Sequence, residues 1–112
     1  MLANNNGKLL VCASSFASRE KRLKSVNSAA EKMAKLLNAD VEFVAHKKKF
    51  KPIYVYYKSG DEEPIPIYCN KGEKSEMQDV YATLSRMMFV LSFHPKHSAL
   101  KFFRKEMAQL PS

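Results

Sequence analysis

The residues best suited to chemistry lie in one short basic stretch, His46 to Lys51. Lysine ammonium groups attract phosphate oxygens as point charges, and they release counterions when they neutralise a nucleic-acid backbone. Predicted strands lie on both sides of this stretch, so the strand ends hold its charges close together. The pattern favours a phosphate-binding loop, with contacts expected from Lys47, Lys48, Lys49 and Lys51.

Aromatic side chains lie close enough to these lysines to add base stacking to the phosphate contacts. Bases stack on phenylalanine and tyrosine rings in complexes with single-stranded RNA. We expect Phe50 and Tyr56 to stack in this way, and Tyr54 and Tyr68 offer further rings on the predicted sheet. The alternative is a hairpin loop that lysines keep soluble, with Phe50 covering the core.

The positive charge of the chain is concentrated in separate segments. The net charge is +8, to which residues 19–51 contribute +6, residues 58–79 contribute −3 and residues 86–106 contribute +4. Such segregation favours a polyanionic or acidic partner, although a solvated helix face explains the helix lysines equally well. The further basic candidates lie on one face of the first predicted helix and near the C-terminus: Lys21, Lys24, Lys32, Lys35, Arg104 and Lys105.

Catalytic and metal-binding patterns are weak in this chain. The acidic residues 61–63 are neighbours whose side chains point apart in an extended turn, and His94 and His97 lack the further ligands of a zinc site. Cys12 and Cys69 lie in apolar strands without a basic neighbour that would activate the thiol. We therefore predict no catalytic residue, no metal and no cofactor, and we lean towards a protein that is not an enzyme.

Hydrophobic periodicity predicts one α+β domain over residues 1–112, with the order β-α-β-β-β-α-α. This order suits a two-layer sandwich in which helices cover a small mixed sheet. If the first two strands are parallel neighbours, the first helix is the crossover between them. The polar ends, residues 1–6 and 109–112, are expected to fray. Strands are expected at 7–13, 41–45, 53–57 and 64–69, and helices at 19–37, 74–93 and 95–107.

Two of these elements support an alternative function. Pro66 cannot donate a ladder hydrogen bond, so the fourth strand is expected to lie at a sheet edge or to carry a bulge. The helix over 74–93 is apolar almost all round, because Phe89, Val90 and Phe93 widen its main stripe, and we expect it to be buried on most sides, in the domain or against a partner chain. The alternative is a protein-interaction module, a homodimer, a subunit or a small inhibitor of an acidic partner, that uses this helix and an edge strand.

Short segments of the chain resemble different families. Residues 8–12 and 29–42 look like the opening strand–helix–strand of universal-stress-type domains, without the glycine-rich ATP motif of that family. The element order, with residues 79–82 opening the long helix, resembles ribosome hibernation factors, which bind the small ribosomal subunit through basic surfaces. Residues 53–54 and 68–70 are similar to the paired tyrosine strands of GIY-YIG nucleases, without the glycines of that pattern. Because each resemblance covers a different segment, we assign the chain to none of these families.

The sequence therefore predicts a small basic domain without catalytic activity that binds a polyanion, with RNA or a ribonucleoprotein surface as the favoured partner. A cytoplasmic location is expected, because both cysteines are predicted to be free thiols. No apolar run reaches the roughly 18 residues that a membrane span needs. The basic segments form one site only if the fold brings them to one face, which the sequence does not determine.

Overall fold

The computed structural model describes residues 7–93, which form a four-stranded sheet, two α-helices and one core. The order confirms the predicted mixed α+β fold. The third predicted helix, 95–107, and the ends 1–6 and 109–112 lie outside the described residues. The elements are β1 (Gly7–Ser14), a 3₁₀ turn (Ser15–Ala17), α1 (Lys21–Leu37), β2 (Asp40–His46), β3 (Ile53–Ser59), β4 (Ile65–Asn70) and α2 (Met77–Leu91).

The strands form one mixed sheet in the order β2-β1-β3-β4. β1 pairs in parallel with β2 through the α1 crossover, whereas β3 runs antiparallel to both of its neighbours. β4 lies at an edge of the sheet, and its pairing with β3 shifts register between Val55 and Tyr56, opposite Pro66. Both expectations for Pro66, an edge position and an irregularity, are therefore confirmed.

Both helices pack on the same face of the sheet. Leu9, Val11 and Val55 are buried in one cluster with α1 and α2 side chains such as Met33 and Leu84. Side chains alternate along a strand, so the intervening residues of β1 and β3 point to the opposite side. No described helix covers that side, and we call it the open face. Its half-buried residues include Leu10, Cys12, Val44, Tyr54, Tyr56 and Cys69.

Both helices are shorter than the periodicity predicts. α1 begins at Lys21, because Glu20 still has extended backbone angles and serves as the N-cap residue. It ends at Asn38, a left-handed residue with φ 56° whose N–H bonds the carbonyls of the last turn. α2 begins three residues later than expected, at Met77, because the preceding residues fold into a connection held by side-chain hydrogen bonds of Asn70.

Within the described part of the chain, the domain itself does not bury the second helix on most sides, and burial against a partner chain stays a prediction. Val80, Leu84 and Met88 form its buried stripe, whereas Phe89 and Val90 are exposed. The core lies on one side of α2 only, so the residues that widen the apolar stripe point away from the sheet. Among the described residues, neither α-helix is long and apolar enough to cross a membrane.

Candidate nucleic-acid interface

Three connections of the fold meet at one end of the sheet. Ser14 and His46 close the parallel strands β1 and β2 and pair with each other. β3 begins and β4 finishes at the same end, because Ile53 pairs with Asn70. The connections after β1, β2 and β4 therefore leave the sheet side by side. We call residues 15–24, 47–52 and 71–76 the basic end.

The basic end gathers most of the positive charge of the described chain. Its residues include ten basic and three acidic side chains, a net charge of +7. Two of the predicted sets of lysines are brought together here, one on the β2–β3 connection and one in the first turns of α1. Each of these side chains is exposed: Lys47, Lys48, Lys49, Lys51, Lys21 and Lys24.

The rest of the predicted helix stripe does not join this site. Lys32 and Lys35 lie about 16 to 21 Å further along the α1 axis than Lys21, towards the opposite end of the sheet. The Nζ atom of Lys32 lies 4.4 Å from the centroid of the Tyr81 ring, so this side chain is directed towards α2. The four lysines share one face of α1, but only Lys21 and Lys24 lie at the basic end, because α1 extends well beyond it. The predicted contacts Arg104 and Lys105 lie outside the described residues.

A buried arginine joins the three connections of the basic end. The Arg22 side chain is only 8% exposed, and its Nε atom donates to Oε1 of Glu20 at 3.1 Å. Its Nη2 atom donates to the carbonyl oxygen of Lys51 at 2.6 Å, and its Nη1 atom donates to Oδ1 of Asn70 at 3.2 Å. One guanidinium thus links the start of α1, the lysine-rich connection and the end of β4. Since charge-assisted hydrogen bonds are stronger than neutral ones, Arg22 fixes the relative positions of these segments.

Asn70 extends this network into the connection that precedes α2. Its Oδ1 atom also accepts from the Gly72 N–H at 2.8 Å, and its Nδ2 atom donates to the Glu73 carbonyl at 3.1 Å. The side chain of Lys51 lies against Gly72, where a Cβ atom would overlap it. Gly72 also has φ +126°, a value that only glycine adopts readily. Lys51 therefore contacts both neighbouring connections, Arg22 through its carbonyl oxygen and Gly72 through its side chain.

Sequence reasoning missed Arg22 and Asn70 as organisers of the site. Arg22 was counted among the basic residues, yet it lies one helical turn before Val26, on the side of α1 that is buried. The helical spacing sets Arg22 on the same face as the apolar residues of α1, and this spacing was the signal that its side chain would be buried. Asn70 carries no comparable signal, because its link to the start of α1 is a contact with Arg22, 48 residues away in the sequence.

Aromatic rings lie beside the basic end, on the open face of the sheet. Tyr54 and Tyr56 have ring centroids 6.1 Å apart, and the Phe50 ring lies 5.6 Å from that of His46. These four rings, together with Cys12 and Pro52, line a cavity of about 470 Å³. The two predicted stacking residues, Phe50 and Tyr56, therefore face the same cavity.

Phe50 also lines a second cavity, which lies on the basic end itself. This cavity of about 430 Å³ is bordered by Lys49, Lys51 and Phe16. Phe16 is 68% exposed and was not predicted to belong to the site. Tyr68, by contrast, pairs with the buried Val55 and packs partly against the core, so it is not part of the open face. Phe50 thus stands between a charged surface and an aromatic one.

The pKa shifts of the ionisable groups near the cavities favour their neutral forms, which disfavours nucleophilic chemistry. Burial, and then the nearby Glu42 carboxylate, raise the pKa of the Cys12 thiol, which disfavours the reactive thiolate. Burial also raises the pKa of Tyr56, which further disfavours the phenolate. Cys12 and Cys69 are free cysteines. Within residues 7–93, no three histidine, cysteine or acidic side chains converge in a way that would hold a metal ion.

No family model matches this chain, and no match was found among curated proteins or solved structures. The function is therefore inferred from the geometry of the basic end and of the aromatic cavity beside it.

Proposed function

We propose that this protein binds RNA, either free or exposed on a ribonucleoprotein, through the basic end. The observation that carries the proposal is the convergence of six exposed lysines from two separate segments at one end of the sheet. Each segment alone is an ordinary solvated surface, but together they form a field that attracts phosphates at several neighbouring positions. Since Arg22 and Asn70 hold the connections in place, less ordering of the chain is required when RNA binds.

The aromatic cavity favours single-stranded RNA over a duplex. Phosphates bound by Lys47 to Lys49 place the adjoining nucleotides near Phe50, which borders both the charged cavity and the aromatic one. An unpaired base can then stack on Phe50 or Tyr56, whereas a base inside a duplex cannot reach the open face.

The proposal is for binding without catalysis in a reducing compartment, such as the cytosol. The protonated state of Cys12 and the hydrogen-bonded state of Arg22 leave neither group poised as a nucleophile or base. The free thiols of Cys12 and Cys69 support the reducing compartment.

Filter binding of a labelled single-stranded RNA, measured over a series of salt concentrations, tests the proposal. The affinity should fall steeply as salt rises, with a slope of about −0.7 for each phosphate that a lysine neutralises. A duplex of the same length should bind more weakly at every salt concentration. The absence of RNA retention even at low salt would contradict the proposal.

Two variants with the same net charge separate a local site from a general charge effect. Lys47→Gln, Lys48→Gln and Lys49→Gln together should weaken binding at least about tenfold and flatten the salt slope. The control changes three lysines away from the basic end, Lys8→Gln, Lys32→Gln and Lys35→Gln, and should weaken binding much less. Equal losses in the two triple variants would show that net charge alone drives the binding.

A further inference from the structure

The two edges of the sheet are protected to very different degrees. An exposed edge strand presents unpaired N–H and C=O groups, and proteins commonly block such an edge with proline, lysine or a bulge. β4 carries Pro66 and an irregular register. β2 pairs with β1 without interruption from Asp40 to His46, and it contains neither proline nor lysine. Among residues 7–93, no strand pairs with its outer side. β2 is therefore the edge that can accept another strand.

An exposed phenylalanine lies at the middle of β2. Phe43 pairs with Val11, which is fully buried, so its side chain lies on the helix-covered side of the sheet. It is nevertheless 42% exposed, because β2 is the outermost strand and the cover of α1 does not extend beyond it. A large apolar side chain on an unpaired edge strand is stabilised if a further strand covers it.

The charge pattern of β2 is complementary to that of a second copy of β2 that runs in the opposite direction. Asp40 and Glu42 lie near its beginning, whereas His46 closes it and the lysine-rich connection follows. In an antiparallel pair centred on Phe43, Asp40 of one copy lies opposite His46 of the other, so the acidic start of each strand lies beside the lysines that follow His46 in the partner copy. Opposite charges in such neighbouring cross-strand positions are stabilising. A strand with this pattern fits a second copy of itself.

We propose that a second copy of this chain docks on β2 in antiparallel orientation, with Phe43 facing Phe43 on the two-fold axis. Directly opposed residues share a sheet face, so the helix layers of both copies lie on the same side of a continuous eight-stranded sheet. The two phenylalanines then fill the gap between these helix layers. The arrangement is isologous and closed, which limits assembly to a dimer. It does not depend on RNA binding, and its failure would leave the proposed function unaffected.

Cysteine cross-linking tests the register of this dimer. Phe43→Cys places two thiols opposite each other at a Cα separation of about 4.5 to 5.5 Å, which a disulfide can span. The control is Ala45→Cys, an exposed position on the same strand and face. In this register the two copies of residue 45 lie about 13 Å apart along the strands, beyond the reach of a disulfide. Oxidation of the unmodified protein measures the background cross-linking through Cys12 and Cys69.

Under mild oxidation, Phe43→Cys should form a covalent dimer at least about tenfold faster than Ala45→Cys, because its thiols are held together at high effective concentration. Equal cross-linking rates, or no cross-linking of either variant, would overturn the proposal.

Sedimentation measurements without any cysteine substitution provide an independent test. The unmodified protein should show a concentration-dependent monomer–dimer equilibrium. Phe43→Lys sets two like charges opposite each other and should raise the dimer dissociation constant at least about tenfold. Val90→Lys, which changes an exposed apolar residue of α2, should leave that constant nearly unchanged. A dimer that Val90→Lys dissociates and Phe43→Lys does not, or a monomer at every concentration, would overturn the proposal. Circular dichroism of both variants confirms that they fold.

Discussion

The two ends of the sheet are built from similar strand ends but differ in charge and construction. The basic end brings together three connections with a net charge of +7, and the buried Arg22 joins them. The opposite end contains the β3–β4 turn, residues 60–64, where Asp61, Glu62 and Glu63 are exposed and no basic residue is present. A basic protein can therefore carry a strongly basic surface at one end of its sheet and an acidic turn at the other.

The difference follows from the length and connectivity of the segments. The turn between β3 and β4 joins adjacent antiparallel strands, so local backbone bonds such as that from the Glu62 N–H to the Ser59 carbonyl are enough to close it. The connections of the basic end come from distant parts of the chain and share no strand pairing with each other. Side-chain hydrogen bonds between residues far apart in the sequence, such as that from Arg22 to Asn70, are therefore needed to hold these connections in fixed positions relative to each other.

The largest effect that separates the two ends is expected from removing the buried guanidinium. Arg22→Ala should lower the free energy of unfolding by about 2 to 3 kcal/mol, because Lys51 and Asn70 lose a charged donor and the arginine stem leaves a void. Glu20 is half exposed and can be solvated, which limits the loss. Urea unfolding measures the change. Arg86→Ala, at an exposed position on α2, is the control and should cost no more than about 0.5 kcal/mol. An equal loss of unfolding free energy in the two variants would show that Arg22 does not hold the basic end together more than an exposed arginine would.

A smaller effect is expected from the ring that borders both cavities. Phe50→Leu keeps an apolar side chain but loses the flat ring, so affinity for single-stranded RNA should fall by about tenfold. Affinity for duplex RNA should change little, because a paired base does not stack on the open face. Phe93→Leu, at an exposed aromatic position beyond α2, serves as the control. If Phe50→Leu weakens both RNA forms equally, Phe50 has a structural role and not a stacking one.

The two ends should also respond differently to alkaline pH. Burial raises the pKa of Tyr57, whose fully buried side chain lies on β3 towards the acidic turn, above its usual value near 10. The unfolded chain then releases this proton first, so the stabilisation is complete below about pH 10 and is lost as the pH rises above that value through the higher pKa of the folded state.

Tyr57→Phe should therefore reduce the fall in stability above pH 10, because the variant has no buried phenol to ionise. Urea unfolding at a series of alkaline pH values measures the two slopes. The control is Arg22→Ala, which removes no tyrosine and should leave the pH slope unchanged. A Tyr57→Phe slope identical to that of the unmodified protein would contradict the assignment.

The smallest effect is expected from neutralising the acidic turn. Asp61→Asn, Glu62→Gln and Glu63→Gln together raise the net charge by three, yet they should change RNA affinity by less than about twofold at physiological salt. The turn lies more than one Debye length from the basic end, because a strand of seven residues spans about 23 Å. Filter binding beside the lysine variants measures the effect. A gain comparable to the loss in the Lys47–Lys49 variant would mean that net charge, and not its position, determines binding.

Most of the fold was predictable from periodicity, whereas only part of the site was. Alternating apolar residues located β3 and β4, and the stripe Leu23, Val26 and Met33 located α1, because burial of one face requires these spacings. The lysines after His46 were also evident, since they are contiguous. The periodicity of α1 did not reveal that Lys32 and Lys35 lie far from the basic end, because spacing that sets them on the same helix face as Lys21 contains no information about distance from the other lysines. The wide apolar surface of α2 was expected to be buried, yet Val90 is exposed, since hydrophobicity does not specify what covers it.

The sequence by itself determined the elements, the excess of positive charge and its division into separate segments, because these follow from local spacing and composition. Only the tertiary structure decided that Lys21 and Lys24 join Lys47 to Lys51, that Lys32 does not, and that no strand within residues 7–93 pairs with the outer side of β2. These outcomes depend on strand order and direction. Parallel pairing of β1 with β2 brings the start of α1 to the end of β2, and that pairing is set by the packing of the whole core.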